Sequence, residues 1–335
     1  MFLKQEDVIA AGVLDMEKAL QDVERSFLMH GRGEVRQPTK TLLDFPDPER
    51  GERGACVVAM PVYIGGEIER AGIKWAAESL ANARRGDLPY GIDLVILHDL
   101  ERALPVAIMD GTLITAMRTA AATGVAAKYL ARPNSRVAGL VGTGVIGRTT
   151  LEALLVVLPS LDEVRLFDLK PEKARALANE FGEGVEIRRV ESARQAIEGA
   201  DLFATMTTTR QPFVKAGWMK EGSLFAQVGG NESEEAVILN ADRLVVDDWE
   251  PIKHYEASLF CRLYKEGRIK DEDVVNLREI VVGRKPGRRS EKERIVFKPF
   301  GLACEDIMLA ERIYQQAQTM GLGERLLLWE RSKWL

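Results

Sequence analysis

An apolar run, Val137-Ala-Gly-Leu-Val141, leads directly into Gly142-Thr143-Gly144-Val145-Ile146-Gly147, and Leu151, Leu154, Leu155 and Leu158 follow at helical spacing. This order of strand, Gly-x-Gly-x-x-Gly turn and helix constrains the chain more than any other feature, because each glycine meets a different steric demand. Gly142 permits the bend, Gly144 lets backbone approach a pyrophosphate, and Gly147 lets the helix pack closely on the strand. The helix N-terminus offers its N–H groups to the phosphates. A second apolar run, Glu163-Val-Arg-Leu-Phe-Asp168, sets an acid about 20 residues beyond the last glycine, where a carboxylate accepts both ribose hydroxyls. That acid repels a 2′-phosphate, so NAD(H) is expected over NADP(H), although Lys170 stands nearby.

Strands and helices alternate around this motif: Arg136–Val141, a helix near Thr149–Leu158, Glu163–Asp168, a helix Pro171–Phe181, Val185–Arg189, a helix near Ser192–Ile197, and Leu202–Met206. The runs Ser223–Val228 and Arg243–Asp247 complete a doubly wound sheet of about six strands. Upstream the pattern differs. Ala55–Pro61, Ala71–Ala76, Ile92–His98 and Leu104–Met109 are strand-like runs with no helix between them, which predicts an antiparallel or mixed sheet. Before them lies an amphipathic helix, Asp15–His30, with Gly31 as its stop; after them a helix over Thr112–Leu130 leads into the alternating region. The basic segment Gly283–Arg294, with Glu291 and Glu293 interspersed, reads as a solvated loop without function. A last helix, Cys304–Thr319, is closed by Gly321, and the apolar Leu326–Trp329 beyond it is expected to return to the first domain for cover.

At 335 residues the chain is long enough for two domains, and its 46% hydrophobic and 29% charged residues suit a globular protein. A net charge of −5 gives no global attraction to nucleic acid or membrane. The N-terminus lacks the basic start and apolar core of a secretion signal, so a cytoplasmic location is expected. Cys56, Cys261 and Cys304 are odd in number and far apart, and His30, His98 and His254 are scattered, so neither a disulfide framework nor a metal site is expected.

Three cations upstream lie beside apolar strands or a helix instead of in charged runs: Lys40, Lys74 and Arg118. Strand alternation puts Lys74 on the face opposite to Ile73 and Trp75. Arg118 sits in the small-residue stretch Met-Arg-Thr-Ala-Ala-Ala. Spacing alone leaves open whether such cations are solvated, structural or functional.

Met60-Pro61, Gly72-Ile-Lys74, Asn82 followed by Leu88-Pro89, Met109-Asp110-Gly111, Arg118-Thr-Ala-Ala, the glycine motif, Val228-Gly229 and Glu305-Asp306 occur in the order and spacing of one family. Over nearly its whole length the chain resembles the ornithine cyclodeaminase and mu-crystallin family. The resemblance implies an α/β fold in which a Rossmann domain, residues 126–302, is inserted into an α+β substrate-binding and dimerisation domain, residues 1–125 plus 303–335, with homodimers formed through the substrate-domain sheets. It also implies that Arg118 clamps a substrate carboxylate, that Lys40 is a second cation there, and that Lys74 acts near the reacting carbon. Thr205, Thr207, Val228 and Gly229 are then expected beside the nicotinamide, at the carboxyl ends of parallel strands. The third candidate catalytic position is Asn231. Cyclodeaminases carry an aspartate shortly after the Val-Gly pair, whereas this chain reads Val228-Gly229-Gly230-Asn231-Glu232. Asn231 is no carboxylate base, so either Glu232 substitutes or the chemistry needs no base there. Val58, at a position often polar in the family, removes an amine-recognising group.

The expected function is an NAD(H)-dependent oxidoreductase that moves hydride to or from the α-carbon of a small amino or imino acid, as an imine or ketimine reductase or an amino-acid dehydrogenase. Its expected partners are a small carboxylate-bearing amine or imine and a second copy of the chain. The alternatives are a cyclodeaminase-type lyase with catalytic NAD, converting ornithine to proline and ammonia, and a ligand-binding protein or enzyme subunit without catalysis.

Overall fold

Two sheets of different character organise the computed structural model, which describes residues 1–46, 53–181, 184–331 and 333. The chain divides into two compact units: residues 1–15, 33–115 and 303–335 form one, residues 16–32 and 116–302 the other.

The first unit holds β1 (Phe2–Leu3), β2 (Val35–Arg36), β3 (Thr41–Pro46), β4 (Arg53–Ile64), β5 (Arg70–Ser79), β6 (Gly91–Asp99) and β7 (Leu104–Asp110). Their order is β1-β7-β6-β5-β4-β2, with β3 paired to β4; every pairing is antiparallel except β1 with β7. Alternation decides the faces. Val58, Met60 and Val62 of β4, Gly72, Lys74 and Ala76 of β5, and Asp93, Val95 and Leu97 of β6 are buried. The helix Ala303–Met320 covers this face, so closely that a Cβ on Gly72 would stand 2.6 Å from the Ile307 Cδ1. The opposite face leaves Leu43, Phe45, Trp75, Ile92 and Leu94 exposed.

The second unit carries eight parallel strands: β8 (Val137–Val141), β9 (Glu163–Phe167), β10 (Glu186–Arg189), β11 (Leu202–Thr205), β12 (Leu224–Gln227), β13 (Arg243–Val246), β14 (Val274–Asn276) and β15 (Ile295–Lys298). Their order is β10-β9-β8-β11-β12-β15-β13-β14. The chain winds outward from β8 through β9 to β10, then returns to β11 on the other side of β8. This reversal is the switch point at which such sheets bind ligands, outside the carboxyl ends of the strands. An apolar cluster fills the core, with Phe203 and Phe225 stacked at 4.5 Å on neighbouring strands. Cys261 is buried in this unit, and Cys56 and Cys304 are buried in the first; none of the three is in a disulfide. Among the described residues no helix is long and apolar enough to cross a membrane.

Four expectations need correction. The sheet has eight strands instead of six, because β14 is only three residues long and β15 is a short run that follows a charged loop. The unit boundaries do not follow 1–125: the helix Met16–Arg32 belongs to the second unit, where a Cβ on Gly124 would meet the Leu20 Cδ2 at 2.6 Å. Residues 116–125 belong there as well. Gly31 does not stop that helix but lies inside it, where a Cβ would meet Val282; Gly33, with φ +82°, follows the helix end. The Gly283–Arg294 segment is a mostly exposed loop, as expected, and its arginines pin it to its neighbours. Arg288 donates to the carbonyls of Leu130 and Glu293, Arg284 donates to that of Gly31, and Arg289 pairs with Glu293. Finally, the chain does return to β1, where Glu324 bridges to Phe2, but Leu326–Trp329 stay exposed, Leu327 at 81%.

Asp201 fastens the start of β8. Its carboxylate accepts from the backbone N–H groups of Arg136 at 2.7 Å and Val137 at 3.0 Å, and pairs with Lys220 at 2.6 Å and with Arg132. Burial works to raise its pKa, but Lys220 and the two N–H groups outweigh it and hold the group at about 2. A carboxyl whose folded pKa lies below its ordinary 3.8 stabilises the fold above that pH and stops doing so as pH falls toward 2. Asp201→Asn is therefore expected to cost about 2 kcal/mol at neutral pH, with the two proteins converging as pH falls from 4 to 2. Melting curves over that range check it, and parallel curves would exclude the assignment.

Candidate active site

The glycine turn occupies the carboxyl end of β8. Gly142 has φ +96° and donates to the Phe167 carbonyl at 2.9 Å; a Cβ there would stand 2.6 Å from the Met206 oxygen. At Gly147 a Cβ would fall 2.1 Å from the Gly142 oxygen, so only a bare Cα fits between helix and turn. Gly144 differs. It caps the helix Val145–Val157 in extended backbone geometry, and a Cβ there would meet nothing within 4 Å. Space above a bare Cα at a helix N-terminus is the cradle that a pyrophosphate requires, so these residues fit a dinucleotide. Asp168 is drawn to the same turn: one carboxylate oxygen accepts from the Thr143 N–H at 2.8 Å and hydroxyl at 3.1 Å, the other from the Lys170 N–H at 2.9 Å.

At the ends of β11, β12, β13 and β15 lies a set of buried charges that sequence reasoning recognised only in part. Glu232 is fully buried and accepts from the Thr205 hydroxyl, and from the Thr207 N–H at 2.7 Å and hydroxyl at 2.6 Å. Its carboxyl group lies against Gly229, where a Cβ would come within 2.5 Å of it. Val228 and Gly229 both donate to the Thr205 carbonyl at 3.0 Å. Lys298, the last residue of β15, donates to the carbonyls of Gln227 at 3.1 Å and Gly229 at 2.6 Å. Asp247 accepts at 2.7 Å from each of the N–H groups of Phe300 and Gly301. Burial raises the pKa of Glu232 against the hydrogen bonds of Thr205 and Thr207, and raises that of Asp247 against those of Gly301, Asp248 and Phe300. Burial likewise lowers Lys298 to about 8, opposed by Glu232 and Asp247. Asn231 spends its side chain on chain geometry, donating to the Ala257 carbonyl at 2.7 Å and accepting from the Leu259 N–H at 3.0 Å. The sequence signal for Lys298 is a lysine closing the apolar run Ile295-Val-Phe, and Asp247 closes the run Leu244-Val-Val in the same way.

Arg118, on the helix Thr112–Leu130, is buried in the second unit with its guanidinium against Gly301: a Cβ there would lie 2.7 Å from Nη1. In the first unit, Lys74 is 2% exposed, on the covered face of β5. Its ammonium stands 3.2 Å from Asp306, in the first turn of the helix Ala303–Met320, and 3.7 Å from Asp93 on β6. Thr115 donates to Asp93 by a short hydrogen bond. Lys40 is half-buried between β2 and β3. The structure thus joins Thr205, Thr207, Val228 and Gly229 in one cluster and Thr143 with Asp168 in another. Glu305-Asp306, present in the sequence without a role, supplies the partner of Lys74.

Residues 1–321 match the ornithine cyclodeaminase/mu-crystallin family. The chain is 30% identical over 333 residues to N-((2S)-2-amino-2-carboxyethyl)-L-glutamate dehydrogenase of Staphylococcus aureus, covering 98% of each chain. Among solved structures it resembles the Δ1-pyrroline-2-carboxylate reductase of Thermococcus litoralis in complex with NADH and L-proline, with TM-score 0.88 and 34% identity over 97% of this chain and 100% of that one. It also resembles an archaeal alanine dehydrogenase dimer with bound NAD, with TM-score 0.86 and 31% identity over 98% and 99%.

The unequal surroundings of two glycines give a direct test. Gly144→Ala is expected to fold with unchanged melting temperature and to bind NADH at least roughly tenfold more weakly, because its methyl group meets only the phosphates. Gly147→Ala is expected to lose the fold. NADH fluorescence titration beside thermal melts reads both, and full NADH affinity in Gly144→Ala would remove the pyrophosphate from this turn.

Proposed function

Because the chain belongs to the ornithine cyclodeaminase/mu-crystallin family, we propose that it is an NAD(H)-dependent oxidoreductase moving hydride to or from the α-carbon of a small amino or imino acid. The class of substrate it fits is a carboxylate-bearing imine in one direction and the corresponding amine in the other. When bound, the nicotinamide supplies or accepts the hydride. Gly142, Thr143, Gly144 and the N-terminal turn Val145-Ile146-Gly147 would hold the pyrophosphate, Asp168 the ribose, and Thr205, Thr207, Val228 and Gly229 the nicotinamide side. Arg118 takes the substrate carboxylate through two parallel N–H···O bonds, with Lys40 as a second cation. Lys74 Nζ delivers the proton that an imine nitrogen gains on reduction and recovers it in the oxidative direction. Asp306 and Asp93 hold that ammonium in place, and its burial keeps bulk water from competing for the proton.

What favours net redox chemistry over ring-closing elimination is the pair of residues after Val228-Gly229-Gly230. Asn231 is committed to Ala257 and Leu259, and both oxygens of the buried Glu232 are committed to Thr205 and Thr207. Neither side chain is disposed as a proton relay. With Δ1-pyrroline-2-carboxylate as probe, NADH is expected to be consumed mole for mole; ornithine with catalytic NAD is expected to yield neither proline nor ammonia. The opposite pair of results would assign a lyase. Lys74→Ala is expected to lose roughly a hundredfold or more in turnover with NADH affinity retained, and unchanged turnover would take Lys74 out of the proton transfer.

The same reading includes a homodimer joined through the outer face of the first-unit sheet. Register lines Leu43, Val57, Ala77 and Ile92 into one row across β3, β4, β5 and β6, and Ala59, Trp75 and Leu94 into the next. Trp75 is 49% exposed on that face. Apolar rows spanning four and three strands suit a second copy of the same sheet, in keeping with the archaeal relative solved as a dimer. Trp75→Glu is expected to sediment as a monomer; a variant that remains dimeric would place the interface elsewhere.

A further inference from the structure

Arg118 is aimed by something other than its own helix. Its guanidinium lies against the bare Cα of Gly301, where a Cβ would stand 2.7 Å from Nη1, 3.3 Å from Nη2 and 3.4 Å from Cζ. Gly301 has φ +83°, a conformation costly for any other residue. The turn that holds it follows β15 and is fastened at one point: a single oxygen of Asp247 accepts from the consecutive N–H groups of Phe300 and Gly301, both at 2.7 Å. The other Asp247 oxygen accepts from the Asp248 N–H at 2.8 Å, so the carboxylate is fixed at both ends. Asp247 is fully buried at the carboxyl end of β13. Burying a carboxylate is expensive unless hydrogen bonds compensate it, and here they converge on the backbone that carries Gly301.

We propose that Asp247 is a positioning residue for Arg118, acting through the Phe300–Gly301 turn to set the plane in which the guanidinium meets a substrate carboxylate. This rests on the assignment of Arg118 as the carboxylate clamp. Two parallel bonds from a planar fork require the carboxylate in one plane, so a small rotation of the guanidinium loses both together. Asp247→Asn puts an amide NH2 where a carboxylate oxygen accepts an N–H, which loosens the turn. Gly301→Ala instead pushes directly on the guanidinium.

A double-mutant cycle tests the proposal, with Δ1-pyrroline-2-carboxylate as substrate and NADH affinity read separately by fluorescence. Asp247→Asn and Gly301→Ala are each expected to raise KM roughly tenfold to a hundredfold while NADH affinity stays within about twofold. In an Arg118→Ala background neither substitution is expected to raise KM further, because the group they misplace is gone. A multiplicative effect on top of Arg118→Ala, or a parallel loss of NADH affinity, would make Asp247 a structural residue and overturn the proposal. An unchanged KM in Arg118→Ala itself would overturn the carboxylate-clamp assignment and the proposal with it. Should Asp247→Asn fail to fold, Asp247→Glu, which keeps the carboxylate but moves the acceptor away from the Phe300 and Gly301 N–H groups, takes its place in the same cycle with the same two outcomes.

Discussion

The ammonium at the end of β15 is the interaction on which the ligand-facing edge of the second unit depends. Lys298 donates to the turn after β12, Glu232 ties that turn to the one after β11, and Asp247 ties the turn after β15 to β13. Each of these charges loses several kcal/mol of hydration on burial, and a buried ion pair is weak evidence for stability. Its return is geometric. Loops at strand ends have few apolar side chains to fix them, and three charged groups bonding mainly to backbone impose positions that packing alone does not. Burial also lowers the Lys298 ammonium to about 8, below the range of an exposed lysine.

A comparable inversion shapes the first unit. On β5 the charged Lys74 faces inward and the aromatic Trp75 outward, the reverse of what solvent would select in an isolated monomer. Two carboxylates explain the first half, Asp93 from the neighbouring strand and Asp306 from the covering helix. The apolar rows around Trp75 explain the second half if that face is covered by a second sheet. The proposed proton donor and the proposed dimer face thus fall on alternate residues of one strand.

Much of this was legible in the sequence where physics is local. The glycines of residues 142–147 act through φ and contact distances within a few residues, and the long strands of the first sheet show themselves by alternation and by the glycines and prolines between them. What stayed hidden depends on pairs far apart in the chain. Lys74 and Asp306 are separated by 232 positions, so the strand pattern could place Lys74 on a face without revealing its partner. Glu232 could be weighed as a base only because its commitment to Thr205 and Thr207 is tertiary. The helix Met16–Arg32 was assigned by its position in the chain, whereas packing against Gly124 assigns it to the second unit. The three-residue β14 is too short for alternation to be read, and β15, as long as β11, β12 and β13, is masked by the charged loop before it.

The buried thiols carry a practical consequence. Cys261 belongs to the second unit and Cys56 and Cys304 to the first, so each unit has its own internal reporter of opening. The rate at which a small alkylating reagent reaches each sulfur measures local unfolding unit by unit, in the unaltered chain and without an attached dye.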